Sequence, residues 1–157
     1  MISACSVIPG STATWVPTPP RAAFIVLPEA DLAEELVLVS LGLLDTGYRF
    51  GGSNPDAGLD CSGMVSYVVE QVSGQRLPHN AAEIAARTRP VDRAAIRPGD
   101  LVFFNTQNRP YSHMGIYLGD DRFIHAPSSR GKVRLERLGS PYFRDRFDGA
   151  RSLQPLG

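Results

Sequence analysis

Leu59-Asp60-Cys61-Ser62-Gly63-Met64-Val65-Ser66-Tyr67-Val68-Val69-Glu70-Gln71-Val72-Ser73-Gly74 is the stretch that decides how this chain is read. Met64, Val65, Val68, Val69 and Val72 recur at helical spacing, Asp60 is a good N-cap, and Ser73-Gly74 closes the run. Cys61 therefore stands in the first turn of a helix, where unpaired backbone N–H groups and the helix dipole favour negative charge. A catalytic cysteine gains from that position because the thiolate is the nucleophile. Gly63 is expected to keep the approach to the sulfur uncrowded. A lone cysteine is more often a buried structural residue. A core cysteine, however, rarely sits between Asp and Ser at the mouth of a helix, so Cys61 is read as a nucleophile.

Upstream, Leu32, Leu36, Val39 and Leu43 give a helical face over 29–45, with Gly47 as its cap. Tyr48 to Leu59 is dense in turn signals, with Gly51-Gly52, Asn54-Pro55 and Gly58. Downstream, a short helix is expected over 81–87. After Pro98-Gly99-Asp100 the character changes to short strands: 101–104, 114–118, 122–125, 133–135 and 150–153. Gly119-Asp120-Asp121 is a hairpin turn between the second and third of these. Helices first and antiparallel strands after them predict an α+β domain, with helices packed on one face of a meandering sheet.

A thiolate wants a histidine as proton carrier, and that histidine wants an orienting group. The chain has three histidines, His79, His113 and His125. The hairpin turn brings His113 and His125 onto neighbouring strands near one end, where opposite residues on one face stand about 5 Å apart. His125 is then placed to hold one ring nitrogen of His113 while the other faces Cys61. Either histidine alone reads as a structural residue; the pair together with Cys61 reads as a site. His79, in the loop after Leu77-Pro78, reads as a surface or capping residue. The same Cys and two His could instead be three zinc ligands. No HExxH or CxxC accompanies them, and no carboxylate stands as an obvious general base, so no metal or other cofactor is expected.

Composition bounds the rest. The chain has 157 residues, enough for one domain with a sizeable core. Lys plus Arg equals Asp plus Glu at 16 each, without a basic stripe, which argues against a nucleic-acid partner. No apolar run approaches the roughly 20 residues of a membrane span. Pro9, Pro17, Pro19, Pro20 and Pro28 make residues 1–28 an extended tether, leaving 29–157 as the domain. Cys5 lies in that tether. One bridge from it to Cys61 would constrain little and would silence Cys61, so the two cysteines are read as separate devices.

Several motifs together resemble the NlpC-type cell-wall cysteine peptidases. They are Tyr48-Arg49-Phe50-Gly51-Gly52, Leu59-Asp60-Cys61-Ser62-Gly63, Leu77-Pro78, 97–104 (Arg-Pro-Gly-Asp-Leu-Val-Phe-Phe), 112–119 (Ser-His-Met-Gly-Ile-Tyr-Leu-Gly) and Phe123-Ile124-His125-Ala126. The resemblance covers about residues 29–153. It implies a papain-like α+β fold, with N-terminal helices packed on an antiparallel sheet of about five or six strands. It implies a Cys-His-His triad: Cys61 as nucleophile, His113 as general base and then acid, His125 as orienter. Tyr48 is implied near the oxyanion site, beside the backbone N–H of Cys61, with Asp60, Ser62 and Ser112 lining the substrate pocket. Family members often carry Arg after Leu-Pro, where this chain has His79.

The implied substrate is the stem peptide of peptidoglycan, cut through a thioacyl-enzyme by a monomer. The expected bond is D-Ala–meso-diaminopimelate in cross-links, with D-Glu–diaminopimelate as runner-up. Ile2-Ser3-Ala4-Cys5 and the 141–147 tail resemble the lipid-anchored murein endopeptidases of Gram-negative bacteria. Cys5 is thus a lipidation candidate, giving outer-membrane attachment in the periplasm, with the missing signal regions expected upstream. Two alternatives stay open: a phage or secreted-toxin wall hydrolase with the same chemistry, and an inactive wall-binding module. Retention of Cys61, His113 and His125 argues against the second.

Overall fold

The computed structural model describes residues 23–127 and 131–156. Its larger sheet has six antiparallel strands, β3 (Arg89–Val91), β4 (Leu101–Phe104), β5 (His113–Gly119), β6 (Arg122–His125), β7 (Arg134–Arg137) and β8 (Phe147–Ser152). They run in the order β3-β8-β4-β5-β6-β7. A two-stranded sheet, β1 (Ser53–Asn54) and β2 (Gly58–Leu59), precedes the helix that carries Cys61. The helices are α1 (Leu32–Leu41), α2 (Cys61–Ser73), α3 (Ala81–Ala86) and α4 (Pro141–Arg144). This is the α+β arrangement that the sequence predicts.

β4 is buried on both faces, and its alternation divides the core in two. Leu101 and Phe103 face α1 and α2, joining Leu36, Met64, Val65, Val68 and Val69, all fully buried. Val102 and Phe104 face the other way, against Phe123, Leu138, Phe143 and Ala150. Each fully buried Val, Leu or Phe contributes about 1.5–3 kcal/mol relative to exposure, so these clusters hold the sheet against both layers.

α2 runs as expected from Cys61 and ends on Gly74 in the left-handed conformation, at φ 72°. α1 is shorter than the expected 29–45, and Gly42, not Gly47, is its cap. Asp45 turns to φ 68° and donates its N–H to the Val133 carbonyl at 2.9 Å, a sheet-side bond that draws the chain out of the helix. The sequence also gave no sign of β1, β2, β3 or α4, which are too short to carry a periodic pattern. The expected tether boundary at residue 29 falls slightly late. Ile25 and Leu27 donate to the carbonyls of Arg87 and Leu153 at 2.8 and 2.6 Å, and Leu27 is buried. Cys5 and the rest of the tether's start lie outside the described residues.

Candidate active site

A cavity of about 450 Å³ opens at the N-terminus of α2, between the sheet and α4, and Tyr48, Cys61, His113 and His125 all line it. Each arrives from a different element. Cys61 is the first residue of α2, His113 begins β5, His125 ends β6, and Tyr48 rides the segment before β1. That segment is tied down on both sides. Tyr48 donates its N–H to the Gly131 carbonyl at 3.1 Å, while Arg49 donates to the Leu59 carbonyl at 3.2 Å and Leu59 donates back to the Gly47 carbonyl at 3.0 Å. Gly63 makes the closure feasible. A Cβ there would collide with the Gly52 carbonyl, so its bareness admits the 47–52 loop and does not serve the approach to the sulfur.

The two imidazoles meet directly. His113 Nε2 lies 2.7 Å from His125 Nδ1, with the rings nearly perpendicular at 84°. The pairing is diagonal rather than face to face. The Ile116–Ile124 register, extended one residue, puts Gly115 across from His125. A Cβ on Gly115 would come within 3.2 Å of His125 Cβ and 2.6 Å of the Ile124 carbonyl, so only glycine leaves the room. With Nε2 engaged by His125, His113 keeps Nδ1 as its other ring nitrogen. His125 Nε2 is buried with no hydrogen-bond partner among the described residues.

Burial dominates the electrostatics. It lowers His113 to about 4, and it lowers His125 to about 2 with help from the charges of His113 and Arg134. Burial, then the Asp60 carboxylate, pushes the Cys61 thiol up to about 11, against the pull of the Met114, Ser62 and Cys61 N–H groups. The helix N-terminus thus does aim donors at the sulfur, but they do not outweigh burial and Asp60. Burial therefore favours the uncharged forms of the thiol and of both imidazoles. Burial, Asp60 and Cys61 raise the Tyr48 hydroxyl, which stays a proton donor.

Asp60, Ser62 and Ser112 do not line this cavity. Asp60 is the N-cap of α2, accepting from Gly63 N–H at 2.7 Å through Oδ1 and from Gly51 N–H at 3.0 Å through Oδ2. Ser62 leans on the same carboxylate at 3.4 Å. Ser112 accepts the N–H groups of Thr106 and Gln107 and so folds the loop before β5. His79 is at the surface, as expected, and from there it also grips Asp60, with Nε2 at 2.9 and 3.0 Å from the two carboxylate oxygens. It occupies the position after Leu-Pro, where an Arg would place a cation on the same carboxylate.

Sequence reading missed Phe143. Its ring on α4 packs 5.2 Å from His125 and 6.5 Å from His113, adding apolar surface beside both imidazoles. Among the described residues no group of three or more His, Cys, Asp or Glu side chains is disposed to hold a metal ion.

The family model described as the NlpC/P60 family matches residues 45–152. The chain belongs to the NlpC/P60 family. It is 40% identical over 109 residues to the probable endopeptidase YafL of Escherichia coli K12, covering 68% of this chain and 44% of that protein. It is 37% identical over 107 residues to the murein DD-endopeptidase MepH of the same strain, covering 66% of this chain and 40% of that protein. The chain thus spans less than half the length of these two relatives. The probable endopeptidase NlpC of E. coli K12 is matched at 34% identity over 134 residues, covering 80% of this chain and 85% of that protein. Among solved structures, the NlpC/p60 domain of the peptidoglycan hydrolase SagA superposes with a TM-score of 0.67 at 28% identity. It covers 76% of this chain and 97% of that one. A Bacillus cereus NlpC/P60 protein gives 0.72 at 26%, covering 83% of this chain and 42% of that one. Every cavity residue considered above from Tyr48 to Phe143 falls inside the matched NlpC/P60 span.

Proposed function

We propose that this chain is a cysteine endopeptidase of bacterial peptidoglycan. The observation that carries the reading is one cavity lined by Cys61, at a helix N-terminus, together with His113 and His125, whose ring nitrogens lie 2.7 Å apart. Relatives named as murein endopeptidases support the substrate class.

His113 acts in the tautomer that carries its proton on Nε2, donated to Nδ1 of His125. Its Nδ1 lone pair then takes the Cys61 proton as the sulfur attacks the scissile carbonyl. The backbone N–H of Cys61 and the Tyr48 hydroxyl stabilise the oxyanion, each donor being worth about 3 kcal/mol of barrier by analogy with other such sites. The tetrahedral adduct collapses, the C–N bond breaks, and His113 returns the proton to the leaving amine. Water activated by His113 then cleaves the thioester, releasing the acid and restoring the thiol. Proton transfer coupled to attack suits a resting site whose groups are uncharged.

The bond is assigned as D-Ala–meso-diaminopimelate in cross-links, with D-Glu–diaminopimelate as the second choice. A defined cross-linked muropeptide dimer distinguishes them. Release of two intact stems supports the first; stems truncated after D-Glu support the second; an uncut dimer and uncut stems reject the peptidase reading. Lipid attachment at Cys5 and an envelope location belong to the same reading. They are tested by palmitate labelling of the natural chain and of Cys5→Ala.

A further inference from the structure

Arg134 stands directly across from His125 in the β6–β7 register. It lines the same cavity as Cys61 and the two histidines, and among the described lining residues it is the one fixed cation. β7 is an edge strand, and alternation along it sends Arg134 and Glu136 to the cavity side and Leu135, 40% exposed, to the other.

The guanidinium is held but not saturated. Arg134 Nε lies 2.9 Å from Glu136 Oε1, its one ion pair among the described residues, and the Arg side chain remains 56% exposed. An Arg carries five N–H donors in a planar fork, so the terminal edge stays available to an incoming acceptor. Thr106, Gln107, Ser140 and Tyr142 supply further polar atoms around the same space.

We propose that Arg134 is a substrate-binding residue that receives a free carboxylate of the stem peptide, orienting it along the cleft toward Cys61. The inference rests on the peptidoglycan reading above and adds its specificity element. Two carboxylates share the required chemistry, the α-carboxylate of D-Glu and the free carboxylate of diaminopimelate. Either fits the two parallel N–H···O bonds of a guanidinium fork. Glu136 fixes the Arg by its Nε and leaves that fork outward.

The test is binding rather than turnover, because Arg134 also acts on His125 and its loss would disturb catalysis indirectly. Calorimetry with the Cys61→Ala protein compares three stem peptides: the free acid, the D-Glu α-amide and the diaminopimelate amide. The free acid should bind about tenfold more tightly than one of the amides, the magnitude of a charge-assisted hydrogen bond. The weaker amide identifies the carboxylate. In Cys61→Ala/Arg134→Gln the preference should vanish while affinity for that amide stays unchanged, with thermal unfolding checking the fold. Equal affinities for all three peptides, or a preference that survives Arg134→Gln, would overturn the assignment. Cleavage by the unmutated chain without any acid preference defeats this inference alone. Acid preference without cleavage defeats the peptidase reading and leaves the carboxylate site standing.

Discussion

His113 Nε2 sits 2.7 Å from Nδ1 of His125, and which ring donates across this contact decides whether His113 can serve as a base. If the proton lies on His113 Nε2, Nδ1 is a base toward Cys61. If His125 supplies the proton instead, His113 must carry its own on Nδ1 and has no lone pair for the thiol. His113→Ala removes the base and should lower kcat by about 10⁴. His125→Ala leaves an imidazole that is only misoriented, and should cost about 10². Equal losses in the two variants, measured on muropeptides, would contradict the division of roles.

Acid should unfold this protein early, and the sign follows from burial. Unfolded, the imidazoles titrate near 6.5; folded, His113 is lowered to about 4 and His125 to about 2. Between those values the unfolded chain binds more protons. Stability is therefore full above pH 6.5 and falls as pH drops toward 4. Thermal unfolding from pH 7.5 to 4.5 should show a loss that a His113→Gln/His125→Gln protein largely lacks. Parallel profiles for the two would refute it.

The thiol should alkylate late. With Cys61 pushed up to about 11 by burial and Asp60, the iodoacetamide rate should keep rising with pH through 9. Asp60→Asn keeps an N-cap acceptor but removes the charge, so the profile should shift to lower pH. An inflection below 7 in the unmutated chain would mean that Cys61 and His113 rest as an ion pair instead.

Phe143→Ala should cost about 3–5 kcal/mol of stability, since the ring fills the second core cluster with little exposure. It should also raise the pH at which the His113 and His125 resonances titrate by NMR, because water reaches them. Lost stability with unmoved titration would make Phe143 packing alone.

The sequence made legible those parts of the site that a local rule specifies. Asp60, Cys61 and the apolar face of α2 obey capping and helical spacing, and the Gly119-Asp120-Asp121 turn announced the hairpin that brings His113 and His125 together. The diagonal offset of that pair was not legible, because it depends on the irregularity between Tyr117 and Gly119. Nor were the partners of Asp60. Gly51 and His79 reach it from 9 and 19 residues away, and nothing local marks such contacts. Phe143 was visible as an aromatic in the tail, but its place over the histidines is set by tertiary packing across α4. The opposing pull on the Cys61 thiol was not legible for a similar reason: the helix N–H groups act locally, whereas burial is a property of the whole fold.

Purified sacculi incubated with the unmutated chain and with Cys61→Ala, followed by mass spectrometry of the soluble muropeptides, test the central claim most directly. The account predicts solubilised glycan fragments whose stem peptides carry newly freed diaminopimelate amines from the unmutated chain, insensitivity to EDTA, and none of these products from Cys61→Ala. Equal release by Cys61→Ala, or release abolished by chelator and restored by zinc, would contradict it.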